Sequence, residues 1–304
     1  MTDAHARHDA IGGVLAGLAA LFFGGVIILG KQVSDLADPI PVEAMLSIRF
    51  AVAAVVMAAA LAVTRRPLLA EPGERRGLAL LAVFGYGVEA TFFFLALRHG
   101  TAAAVTLLFF VYPVTVAFGA WLVGQGRPNR LTAIALVCAL VGSAIVVATG
   151  AGLAIEAIGV VYAFTSAVVY SGYLVAADVV LRRTNSLTSG MWVSAGASVG
   201  LFLWSLAIGH WRTPSPAEWG PIVGMGFATA GAFVCLMEAI RRVGALRTAI
   251  ISALEPLAAS VLAWIILGER VSGGVAFGGA LILSGAVTAS LARRTPPAQE
   301  QQIP

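Results

Sequence analysis

Ten apolar runs follow one another through this chain with only short polar joins, and most are about as long as a lipid bilayer is thick. They fall at residues 11–30, 42–63, 77–97, 102–124, 131–149, 157–177, 187–209, 219–240, 246–267 and 274–292. A helix needs roughly 17–25 residues to cross the hydrocarbon core. Barrel strands would be near ten residues with alternating polarity, and no such alternation is present. Charge content agrees: only 11% of residues are charged and 59% are hydrophobic, against roughly 25% charged in an ordinary soluble domain. The chain reads as an all-α membrane protein with ten transmembrane helices.

The runs are not independent of one another. The stretch from Ala245 to Arg270 has a weaker copy in Thr101 to Arg127. At a constant offset of 143 residues, Ala96 matches Ala239, Arg98 matches Arg241, Ala102 matches Ala245, Pro113 matches Pro256, Trp121 matches Trp264, Arg127 matches Arg270 and Gly142 matches Gly285. Prolines, tryptophans and arginine pairs in one register point to an internal repeat. The boundaries implied are 1–149 for the first five-helix unit, and 150–304 for the second with a short tail.

Basic residues orient the chain. With the N-terminus cytoplasmic, fourteen of the 19 Lys and Arg fall in cytoplasmic segments, among them Arg65, Arg66, Arg75, Arg76, Arg182, Arg183, Arg241, Arg242 and Arg247. Only Lys31, Arg98, Arg212 and Arg270 fall opposite, and Arg49 is left inside a helix. This is a positive-inside pattern, and it puts both termini in the cytoplasm. The same pattern accounts for the formal net charge of +4 without a nucleic-acid partner. Five helices per unit is an odd number, so the second unit must enter the membrane from the other side. Oppositely oriented halves recur in transporters, where they supply two similar arrangements, one open to each face. The first run is read as a retained helix, and Cys138 and Cys235 lie inside apolar runs, with no disulfide framework to read.

Several residues carry a family resemblance: Arg49-Phe50 in the second run, Pro113 in the fourth, Leu254-Glu255-Pro256 followed by Leu267-Gly268-Glu269-Arg270, and the glycine-rich last run. On these the chain resembles the EamA family of the drug/metabolite transporter superfamily, over essentially residues 11–292. Two features depart from the family pattern: Phe22 or Phe23 stands where a tryptophan is frequent, and Gly124-Gln125-Gly126 replaces the first Leu-Gly-Glu turn. The resemblance implies two inverted five-helix repeats in a cell membrane, such as a bacterial inner membrane. It also implies export of small organic metabolites such as amino acids.

Ionisable groups inside the membrane are functional candidates because they are expensive there. At 1.5 Å per residue, Glu89 lies roughly 18 Å into its run, Arg49 roughly 10 Å and Glu255 roughly 14 Å. Glu89 and Arg49 thus reach matching depth on neighbouring runs, and an ion pair between them is expected. It could line a solute path, exchange partners or carry proton coupling; the alternative is a static pair with Arg49 reaching for the interface. Pro113 and Pro256 should each bend a helix near mid-membrane, beside Tyr112 and Glu255, and flank a cavity between the halves. Tyr86, Phe92, Phe93, Phe94, Phe109, Phe110, Tyr162, Tyr170 and Tyr173 surround these positions. A few of them could line a pocket, with core or lipid contact expected for most. Ser166, Ser171 and Ser252 could equally bond their own backbones.

Other chemistry finds no support. There is no phosphate-cradling loop, no metal-ligand spacing among His5, His8, His99 and His210, and no motif for a cofactor. The reading is a secondary carrier for a small organic solute, not an enzyme. A channel, a non-transporting scaffold and a membrane-embedded enzyme are the competing classes, and saturable counterflow separates a carrier from a pore. Oligomeric state is open, and a monomer meets every feature noted.

Overall fold

A computed structural model describes residues 2–34, 36–100, 102–124, 128–149, 155–181, 183–267 and 273–291. The Gly268-Glu269-Arg270 turn, Gln125–Arg127, loop residues 150–154, Arg182, Arg293, Arg294 and the side chains of Arg7, Lys31 and Trp264 lie outside the described residues.

Every apolar run is helical. In order the helices are α1 (Thr2–Ser34), α2 (Val42–Val63), α3 (Arg75–Leu80), a π-helical stretch (Leu81–Tyr86), α4 (Gly87–Arg98), α5 (Ala102–Phe109), α6 (Tyr112–Leu122) and α7 (Arg130–Ala148). There follow α8 (Ala157–Val180), α9 (Ser186–Ala207), α10 (Pro216–Val243), α11 (Ala245–Ser252), α12 (Glu255–Leu267) and α13 (Gly273–Leu291). Seven helical segments among the described residues are long and apolar enough to cross a membrane. Polar residues begin helices where the runs start: Asn185 accepts from Thr188 N at 2.9 Å, and Ser215 and Glu218 form a capping box. The outer surface stays apolar, with Val63, Phe84, Leu122, Phe227, Ile265 and Phe277 exposed, as a lipid-facing surface requires.

Packing repeats in the 143-residue register. α1 packs on α10 as α8 packs on α4, and α1 on α11 and α12 as α8 on α5 and α6. α2 meets α10 as α9 meets the π-helical stretch, while α2 with α9 and α7 with α13 are pairs of counterparts. The α7–α13 crossing depends on glycine: a Cβ on Gly142 would lie 2.6 Å from Gly278 O, and one on its counterpart Gly285 would lie 2.8 Å from Ala135 O. Close crossings built on small residues are the usual way helices pack in lipid. Gly244 alone separates α10 from α11, and its φ of +84° is one that only glycine adopts freely. These contacts bring the interruptions at Pro113 and Pro256 into the middle of the bundle.

Candidate functional site

The two prolines do more than bend their helices. α5 ends at Phe109 and α6 begins at Tyr112-Pro113; α11 ends at Ser252 and α12 begins at Glu255-Pro256. Each interruption is two residues long and the pair coincide in the repeat register. A proline has no N–H to give its i−4 carbonyl, so the chain closes each first half-helix with tighter bonds instead. Val111 N donates to Leu108 O at 3.3 Å, Ala253 N to Ile250 O at 3.3 Å and Leu254 N to Ile251 O at 3.0 Å. Half-helix ends within a membrane bundle are tolerated where they are buried in protein or line a cavity.

A cavity lies beside these breaks. Its walls are Phe23, Val26 and Ile27 of α1, Arg49 of α2, Tyr86, Glu89, Ala90, Phe93 and Phe94, Thr106 with Phe109 and Phe110, Tyr170 of α8, and Glu255. About 50 Å³ within it is open to the centres of water molecules, enough for a few waters or a compact polar group. Arg49, Glu89 and Glu255 are each at least nine-tenths buried. Glu255 stands in the first turn of α12, where the helix dipole favours negative charge.

The expected Arg49–Glu89 ion pair is not formed. Among the described residues no carboxylate comes within ion-pair distance of Arg49; its Nε donates to Thr229 Oγ1 at 2.7 Å, and its guanidinium sits 4.8 Å from the centre of the Phe50 ring. Glu89 is held from α8, where the Ser166 hydroxyl lies 3.1 Å from Oε1 and 3.2 Å from the Glu89 carbonyl. One hydroxyl hydrogen serves one acceptor at a time, so Ser166 can release the carboxylate without losing a partner. The two side chains therefore share a cavity while each is tethered to a neutral hydroxyl.

Aromatic rings build most of the remaining wall, where core or lipid contact was expected for most of them. Phe93, Phe94, Phe109, Phe110, Tyr86 and Tyr170 line the cavity, whereas Phe92 packs on Tyr162 at 5.9 Å away from it. Tyr86 is the hub, with ring centres 4.6 Å from Phe233, 5.5 Å from Tyr173 and 6.0 Å from Tyr170. It ends the π-helical stretch, three residues before Glu89. An inserted π turn rotates everything beyond it and recurs at functional sites; it aims Tyr86 and Glu89 into one space. The sequence carries only a weak sign of it, Gly85, where a Cβ would lie 2.9 Å from the Tyr173 ring.

Tyr112, expected among the site residues, stands behind the wall. It is fully buried, packs 4.9 Å from the Tyr170 ring centre and donates its hydroxyl to Ala249 O at 3.2 Å. The Ser171 hydroxyl of α8 has two carbonyl acceptors within reach, Ala167 O of its own helix at 2.7 Å and Tyr112 O at 3.1 Å, and donates to one at a time. Ser171 also contacts Thr115 Oγ1. Pro113 and Pro256 are buried and do not themselves line the cavity. Thr229 and Thr106 are groups at the cavity that sequence reasoning missed, and Ser166 was named there without a partner; single hydroxyls in apolar runs look the same whether they serve a site or their own helix. Among the described residues no His, Cys, Asp and Glu cluster could hold a metal ion.

The EamA-like transporter family matches this chain twice, over residues 10–148 and again over 157–291. The chain belongs to the EamA-like transporter family. Two bacterial relatives carry the same description of function: the uncharacterized transporter YwfM of Bacillus subtilis (strain 168) is 26% identical over 220 residues, 71% of this chain and 74% of its own length. An uncharacterized transporter of Clostridium kluyveri is 24% identical over 284 residues, 89% of this chain and 90% of its own. A crystal structure described only as that of a protein shares the fold, with a TM-score of 0.79 at 20% identity over 96% of this chain and 99% of the other. Family membership makes the protein a multi-pass membrane transporter of the secondary type, not an enzyme, and its cargo class small organic solutes.

Proposed function

We propose that the protein exports small organic metabolites such as amino acids by alternating access, through ten transmembrane helices arranged as two inverted five-helix repeats. The observation that carries this reading is the cavity at the two matched helix breaks, lined by one buried cation, Arg49, and two buried carboxylates, Glu89 and Glu255. The two separate family matches, over 10–148 and 157–291, support the repeat boundaries, as do the mirrored helix contacts. The distribution of Lys and Arg supports cytoplasmic termini, and the family match supports a bacterial inner membrane.

In this reading Arg49 receives a solute carboxylate, and Glu89 or Glu255 receives an amine or a coupling proton. The aromatic wall accepts the apolar part of the solute. The two half-helix breaks give the halves flexible points about which to rock. Glu89 is the group on which flux depends most, because it is held by an exchangeable hydroxyl rather than by a fixed ion pair.

Counterflow in proteoliposomes tests the proposal. Vesicles loaded with a panel of unlabelled amino acids and related amines should take up labelled solute transiently and saturably for at least one member. Uptake linear in concentration, without counterflow, would point to a channel and defeat the carrier reading.

A further inference from the structure

Arg247 is the third residue of α11 and counts in the sequence among the cytoplasmic arginines. The structure instead buries it, with 5% of the residue exposed. Its Nη1 donates to Asp9 Oδ2 at 3.1 Å, tying α11 to the beginning of α1. Nε and Nη2 are buried and have no hydrogen-bond partner among the described residues. The neighbouring Thr248 hydroxyl is committed to Gly244 O at 2.8 Å.

Nε and Nη2 carry the two parallel N–H groups on one edge of the guanidinium, a fork whose spacing fits both oxygens of a carboxylate. Asp9 holds the nitrogen outside that fork, so the ion pair leaves the fork empty. Buried polar groups are nearly always satisfied, and an exception calls for an explanation. The central cavity offers none, because no residue of α11 forms its wall. The repeat counterpart of Arg247 is Ala104, so the feature belongs to one end of the molecule only.

The geometry points to Arg247 as a second binding site, for the carboxylate of a solute, sealed in this conformation by Asp9 and uncovered when α1 parts from α11. The inference rests on the alternating-access reading: Arg49 meets the carboxylate in the central cavity and Arg247 meets it at the opposite end. The Asp9 ion pair ties α1 to α11 beside the empty fork, which keeps that end closed until the two helices part.

Phenylglyoxal modification of arginine, read at Arg247 by peptide mass spectrometry on the full chain in lipid nanodiscs, tests this without knowledge of the natural solute. Arg247 should react slowly, and Asp9→Asn should raise its rate at least about fivefold. Benzoate should slow the modification saturably, by more than about threefold, while uncharged benzamide should leave it unchanged. An unchanged rate in folded Asp9→Asn, or equal slowing by benzoate and benzamide, overturns the proposal. If Asp9→Asn does not fold, the benzoate and benzamide comparison on the unmodified chain decides alone. The measurement does not involve flux, so its failure and a failure of counterflow are distinguishable.

Discussion

Tyr112-Pro113 and Glu255-Pro256 stand at equivalent places in two similar halves, each opening a half-helix after a two-residue interruption. In the first half the residue before the proline is a tyrosine, fully buried and turned to a backbone carbonyl of the other half. In the second it is a carboxylate on the cavity wall. The backbone discontinuity is common to both because a missing N–H has the same consequence anywhere in a helix. The chemistry differs because nothing in that discontinuity dictates the neighbouring side chain. Glu89 follows the same logic: its counterpart at the 143-residue offset is Ala232, and that of Tyr86 is Thr229, the residue that holds Arg49. The repeat supplies a symmetric frame, and polar groups set on it without symmetry line the cavity.

The comparison is broken most completely if the halves are not inverted. Arg66, in the loop after α2, and His210, in the loop after α9, occupy nearly equivalent places, since His210 corresponds to Pro67. Both are exposed. Cysteines at the two sites should react with an impermeant reagent from opposite faces of intact cells, an all-or-none difference; reaction from one face would end the inverted arrangement. Thr184, another residue of a polar join, is unsuited to this labelling because it is 3% exposed, with its hydroxyl accepting from Glu71 N at 3.1 Å and its N–H donating to Glu74 Oε2 at 2.8 Å.

Glu89→Gln gives the next largest effect. The substitution keeps the volume and a hydrogen bond to Ser166 while removing the charge. Flux per folded molecule in proteoliposomes should fall at least about tenfold, equivalent to about 1.4 kcal/mol, with the melting temperature held. Flux near that of the unmodified chain would make Glu89 a structural group, and the asymmetry between Glu89 and Ala232 would lose its functional meaning. Glu255→Gln should lower flux less, by about three- to tenfold, since the α12 dipole contributes about 0.3–2 kcal/mol to a carboxylate there and persists toward whatever replaces it. A larger loss at Glu255 than at Glu89 would reverse their order and put the helix break at the centre of coupling.

Much of this was legible in the sequence. The apolar runs, the repeat register and the prolines each follow from a local rule, and the helices and both breaks fall where those rules put them. Arg49, Glu89, Tyr86 and Glu255 were legible as a group because charge and polarity are conspicuous in an apolar run, and they do share one cavity. Their partners were not. Depth alone gives Arg49 and Glu89 the same level, but rotation about the helix axis decides contact, and the π-helical stretch before Glu89 changes that rotation. Arg247 shows the same limit: the sequence places it at the start of an apolar run, but not that a single glycine, Gly244, joins α10 to α11 and that the side chain is buried there.

Tyr112→Phe has the smallest expected effect and most sharply separates frame from chemistry. In an unbroken helix Ala249 O would accept from Ala253 N, but the break turns that N–H to Ile250 O at 3.3 Å. The Tyr112 hydroxyl takes the vacated position at Ala249 O, 3.2 Å away, so the break of one half is capped by the break of the other. Removing the hydroxyl leaves a buried carbonyl without this donor, a loss of about 1–3 kcal/mol. The melting temperature should fall by a few degrees, on the order of 2–4 °C per kcal/mol for a chain of some hundreds of residues. Flux per folded molecule should stay within about twofold, because the ring that backs Tyr170 is retained and the cavity wall does not include Tyr112. A loss of flux with no loss of stability would instead mean that the hydroxyl reaches the solute in the other conformation. The two breaks would then be alike in chemistry as well as in backbone.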